Sequence, residues 1–76
     1  MENIKTGIKT EYIKLDQLLK FSRIAESGSD AKDMILEGIV SVNGEKCEMR
    51  GKKIRSGDKV TVEFEDETVV IDVENE

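Results

Sequence analysis

The stretch LDQLLKFSRIAESGSDAKDMILEGIVSVNG, residues 15 to 44, decides the fold because its hydrophobic period changes twice within it. Leu15, Leu18, Leu19 and Ser22 fall on one face of a helix, while Asp16, Lys20 and Arg23 fall together on another. This spacing predicts an amphipathic helix of about two turns. Asp16 lies four residues before Lys20, the favourable order for a helical ion pair. A break at Glu26-Ser27-Gly28 follows, after which Ser29 is placed to cap a second helix and Asp30 and Asp33 suit the positive end of its dipole. Ala31, Met34 and Ile35 form the buried stripe of that helix, and Gly38 is placed to end it in a left-handed conformation. So few residues separate the helices that they must form a compact hairpin. Beyond Ile39 the period falls to two: Val40 and Val42 alternate with Ser41, and Asn43-Gly44 supplies the positive backbone angles of a tight turn.

Working outward, Ile4, Thr6 and Ile8 alternate with Lys5, Gly7 and Lys9, and a second short β-prone run covers Glu11 to Lys14. On the other side the chain doubles back through Glu45, Lys46 and Cys47. Ser56-Gly57-Asp58 then predicts a turn, and Val60, Val62 and Phe64 alternate on the clearest strand of the chain. Asp66-Glu67 breaks that pattern before Val69, Ile71 and Val73 resume it, so the last two strands are expected to pair as an antiparallel hairpin. The predicted class is α+β, a two-helix hairpin packed on a small, mainly antiparallel sheet. Phe64 is patterned as core, and Phe21 is assigned to the core with it.

A chain of 76 residues is expected to form one domain, residues 1–76, with no room for a second core. A domain of this size buries only about 60% of the surface its unfolded chain exposes. No apolar run approaches the ~18 residues of a membrane span, and the N-terminal MENIKTGIKTEY lacks the apolar stretch of a secretory signal. Together with a lone Cys47, this leads to the expectation of a cytoplasmic protein.

The net charge of −5 hides an asymmetry. From Glu63 onward seven residues are acidic and none is basic, so the preceding 62 residues hold all twelve basic residues against ten acidic ones. The densest positive point is MRGKKIRSGDKV, Met49 to Val60, where Arg50, Lys52, Lys53 and Arg55 lie within six residues. A charge run is most often a solvated loop, and the acidic pair Asp66-Glu67 reads that way.

Catalysis finds little support. Histidine, the commonest general base and metal ligand, is absent, and Cys47 has no basic partner identifiable from sequence and reads as a small strand residue. Gly44 to Gly51-Lys52-Lys53 faintly resembles a nucleotide-binding loop, but the glycine separation is wrong and no Ser or Thr follows the lysine. No catalytic, metal or cofactor site is expected. A small α/β protein-interaction adaptor is the competing class, although the ending Val73-Glu74-Asn75-Glu76 lacks the Gly-Gly tail of a ubiquitin-like carrier.

Leu15-Asp16, the cap Ser29, Ala31, Ile35, Gly38, Val40-x-Val42-Asn43-Gly44 and Gly57-Asp58, in this order and spacing, resemble the S4-like RNA-binding domain, named after small-subunit ribosomal protein four. The resemblance covers residues 15–64. TEYIKL, ESGSDAK and RGKKIRSGDK are similar to the short stand-alone bacterial members, the YaaA-like subgroup. Many relatives place a basic residue just before the capping Ser or Thr; here that position is Gly28, followed beyond Ser29 by Asp30.

The resemblance implies the αL type of RNA-binding motif, in which both helices and the loop after the first hairpin face structured RNA. Lys20 and Arg23 on the first helix, Ser29 and Lys32 at the start of the second, and Arg50, Lys52, Lys53 and Arg55 in the loop are the expected contacts. Ser29 serves first as a cap and second as a phosphate neighbour. With Tyr12, Phe21 and Phe64 the only aromatics, no stacking platform is expected, and recognition should be of shape and phosphates rather than base identity. The expected partner is ribosomal RNA or a ribosome-assembly particle, bound by a monomer without any cofactor.

Overall fold

The computed structural model describes all 76 residues, and its elements follow the changes of period along the chain. Strands β1 (Glu2–Ile8) and β2 (Ile13–Lys14) precede helices α1 (Leu15–Phe21) and α2 (Gly28–Leu36). Then come β3 (Val40–Val42), β4 (Glu45–Lys46), β5 (Lys53–Ile54), β6 (Lys59–Glu63) and β7 (Thr68–Asn75). One five-stranded sheet has the order β1-β7-β6-β3-β4, and β2 pairs with β5 in a separate two-stranded ribbon. The α+β class stands, and the sheet is antiparallel except where β1 runs parallel to β7 from Glu2↔Val69 to Ile8↔Asn75.

Alternation becomes apolar rows across this sheet. Val40, Val62 and Val69 lie side by side, and so do Val42, Val60, Ile71 and Ile4. These rows meet Leu15, Leu18 and Leu19 of α1 and Ala31 and Ile35 of α2 in a single core of 15 buried residues, with Ile4 and Met34 packed at its margin. No helix is long and apolar enough to cross a membrane.

The helix ends depart from expectation in instructive ways. Ser27, not Ser29, caps α2: its backbone is extended and its hydroxyl accepts the Asp30 N–H at 3.2 Å. A cap bonds to the N–H three positions ahead, so the first of the two serines flanking Gly28 takes that role, and Ser29 falls inside the first turn, exposed. At the other end Gly38 adopts φ 80° and closes α2 as anticipated.

Helix α1 ends at Phe21, two residues before Arg23. The Arg23 N–H donates to the Lys20 carbonyl and the Ile24 N–H to the Leu19 carbonyl, both at 3.0 Å, the bonding pattern of a Schellman termination. Arg23 occupies the left-handed position of that motif at φ 63°, where glycine is usual. The expected Asp16–Lys20 ion pair is not formed, and the Asp16 carboxylate instead accepts the neighbouring Gln17 N–H at 2.8 Å. Phe21, assigned to the core from sequence, is 61% exposed, because Leu15, Leu18 and Leu19 already fill the inward stripe. Phe64 is half-buried against the core, and Cys47 lies just past β4 rather than within it.

Candidate nucleic-acid interface

Residues 50 to 55 begin as a loop and end as half of the ribbon, and the backbone fixes both parts. The first two N–H groups of α1, on Leu15 and Asp16, donate to the carbonyls of Lys52 at 2.8 Å and Arg50 at 3.1 Å. Helix N–H groups that lack intrahelical partners are thus satisfied by the basic loop itself, which docks the loop against the start of α1. Ile13 then pairs with Ile54, and Lys14 with Lys53. Ile54 is fully buried and Ile13 packs against the same core, so one face of the ribbon is anchored.

Alternation sends the other residues outward. Tyr12, Lys14, Lys53 and Arg55 share the solvent face of the ribbon. The Lys53 ammonium lies 5.0 Å and the Arg55 guanidinium 5.9 Å from the centre of the Tyr12 ring, both within cation–π range. Lys14 and Lys53 are directly opposed like charges, an arrangement unfavourable on its own. An anion set between them relieves it.

A bracket of hydrogen bonds holds the far end of the basic segment. The Asp58 carboxylate accepts the Arg55 N–H at 2.8 Å and the Asn43 side-chain NH2 at 3.0 Å, while the side-chain Oδ1 of Asn43 accepts the Lys59 N–H at 2.9 Å. The two turns recognised separately in the sequence are therefore tied to one another. The Arg55 N–H above all, then the Asn43 amide and the charges of Arg55 and Lys52, hold the Asp58 carboxyl below its ordinary range against the opposing effect of partial burial. Gly57, at φ 94°, lets the chain turn sharply between them.

The expected contact residues separate into groups. Lys52, Lys53 and Arg55 line one groove together with Lys46, and Glu45, Glu48 and Asp58 also border it. Lys20 and Arg23 line a second, shallow depression with Gln17 and Phe21. Ser29 and Lys32 are exposed on α2 and line neither, and Arg50 contributes its carbonyl to α1 while its side chain stays in solvent. The chain has two ion pairs, Lys9–Glu76 and Lys59–Asp72, each at 3.8 Å. No cation of the ribbon, the loop or α1 forms a direct ion pair, although the charges of Arg55 and Lys52 act on Asp58 from farther away.

Tyr12, Lys14 and Lys46 were not among the residues singled out from sequence. The signal for the first two was present in miniature: Tyr12-Ile13-Lys14 and Lys53-Ile54-Arg55 are both polar-Ile-polar triplets, and only their pairing reveals a common face.

Comparison with known proteins identifies relatives of the chain. The chain is 43% identical over 57 residues to the Bacillus subtilis protein named "Probable ribosome maturation protein RlbA", a match covering 75% of this chain and 80% of that one. It is 31% identical over 61 residues to the "RQC P-site tRNA stabilizing factor" of the same organism, covering 80% of this chain and 70% of the other. Among solved structures, Vibrio cholerae heat shock protein 15, a trimer, superposes with a TM-score of 0.75 at 26% identity, over 87% of this chain and 66% of that one. The family profile described as the S4 domain matches residues 6–72, nearly the whole length from β1 into β7, and the chain belongs to the S4 domain family.

Proposed function

We propose that this protein is a non-catalytic RNA-binding domain that recognises structured RNA through its phosphates and its shape, on ribosomal RNA or an assembling ribosomal particle in the cytoplasm. The observation that carries the reading is the ribbon face, where Lys53 and Arg55 lie over the Tyr12 ring beside Lys14 and none of the three cations forms a salt bridge. Backbone bonds to α1 and the Asp58 bracket hold this face in place before any ligand arrives, which lowers the ordering cost of binding. Membership of the S4 domain family and the names of two relatives, one a ribosome maturation protein and the other a P-site tRNA stabilizing factor, support the choice of RNA.

In this reading Lys20, Arg23, Lys32, Arg50, Lys52, Lys53 and Arg55 each neutralise phosphate charge, with Ser29 beside them in the first turn of α2. Arginine and lysine differ in their parts, the guanidinium fork orienting a phosphate and the ammonium attracting it as a point charge. The protein acts as a single copy.

The test is RNA retention measured against salt. With about four to six phosphates contacted, affinity should fall by about two to three orders of magnitude for a several-fold rise in salt. Changing Arg50, Lys52, Lys53 and Arg55 together to Ala should flatten the logarithmic salt slope by about three to four. Retention that is insensitive both to salt and to these substitutions would instead indicate the protein-interaction adaptor.

A further inference from the structure

We infer that Phe21, with Gln17, Lys20 and Arg23, forms a seat for one unstacked base of the bound RNA, so that the protein prefers RNA carrying a bulged or unpaired nucleotide to a continuous duplex. This inference rests on the RNA-binding reading and adds a second mode of contact to it.

Three observations converge on the end of α1. Phe21 is the only aromatic residue among the largely exposed hydrophobic side chains, and it lines two hollows. One hollow is lined by Gln17, Lys20 and Arg23, and the other includes Ile8 and Ile13. Lys20 and Arg23 have no acidic partner, so the ring is flanked by two cations available to phosphate. Arg23 holds φ 63° at a position where glycine relieves the strain, whereas the equivalent position at the end of α2 is Gly38. Backbone strain of this kind clusters at ligand-binding sites, and here it sits beside an exposed ring.

The chemistry selects the occupant. Phosphates satisfy cations but leave an apolar ring uncovered, while a base has a π-face for Phe21 and carries its flanking phosphates toward Lys20 and Arg23. Gln17 offers both a donor and an acceptor to the edge of that base. Every base has a π-face, so the seat selects unpairing and tolerates base identity. Phe21 neighbours Ile13 across the second hollow, and Ile13 adjoins Tyr12 and Lys14, which places the seat next to the ribbon.

The experiment compares two RNA stems of equal length, one fully paired and one with a single bulged adenosine. The native chain should prefer the bulged stem by about five- to a hundredfold, the range expected for one stacked base. Phe21→Ala should abolish that preference while leaving affinity for the paired stem and its salt slope unchanged, and Phe21→Tyr should restore it. A thermal melt of each variant checks folding. The inference is overturned if the native chain binds both stems equally, or if Phe21→Ala weakens both stems alike or neither. The Arg50, Lys52, Lys53 and Arg55 fourfold variant separates the two readings: it should lose affinity for both stems while keeping the preference. If the native chain retains neither stem at low salt, the RNA reading itself fails.

Discussion

Arg23 and Asp58 are single residues at which stability and binding pull in different directions. A non-glycine residue in the left-handed region costs on the order of 1 kcal/mol, and Arg23 bears that cost at φ 63°. Arg23→Gly is therefore expected to stabilise the fold by about 1 kcal/mol in denaturant titration while weakening RNA retention. A variant that loses stability would show that the guanidinium serves packing instead. Asp58 presents the opposite case. Its carboxyl is held below the ordinary range, first by the Arg55 N–H, so its contribution is present above the unfolded-state value of about 3.9 and disappears as pH falls through the lowered folded value. Asp58→Ala should cost about 1 kcal/mol near neutral pH, and the gap between native and variant should close as pH falls through the lowered folded value. A gap that persists undiminished in acid would show that the cost comes from the turn geometry and not from the charge.

The elements show how much the chain declares about itself. Leucine spacing announces α1, valine alternation announces β3, β6 and β7, and Asn43-Gly44 announces the turn, because each depends on local period or local backbone angle. Partnership is not local. Alternation in β1 specifies a buried face but says nothing of a parallel neighbour some seventy residues away, and only the fold reveals the pairing of Glu2 with Val69. The choice between Ser27 and Ser29 as the cap turns on two residues of helix length, which the hydrophobic stripe does not fix. The basic loop was legible as a charge cluster, but its docking was not, since its carbonyls and not its side chains meet α1. Phe21 was misplaced for a related reason: an aromatic at the edge of a helical stripe looks the same in sequence whether it turns toward the core or toward a ligand.

At the scale of the whole molecule, the two signs of charge occupy opposite ends of one strand. Arg55 lies just before β6, and the acidic tip with Glu63, Glu65, Asp66 and Glu67 lies at its far end. From Lys59 to Phe64 an extended chain at ~3.3 Å per residue travels about 16 Å, a separation compatible with principal extents of 31 × 24 × 22 Å. That distance is about twice the Debye length of ~8 Å at physiological ionic strength and well inside the ~30 Å reached at 0.01 M. The acidic end should therefore act on RNA only at low salt, where it repels approach from the wrong direction and orients the basic ribbon toward the strand. Changing Glu63, Glu65 and Glu67 to Gln and Asp66 to Asn is expected to alter the association rate by several-fold at about 0.01 M salt and to leave it unchanged at about 0.15 M. Dissociation should not change at either concentration, because none of these four residues lines the groove or the depression that hold the unpaired cations. Stopped-flow association with a labelled stem separates the possibilities. An effect that survives at the higher salt would place the acidic tip in direct contact with the RNA, and no effect at the lower salt would leave solubility as its whole contribution.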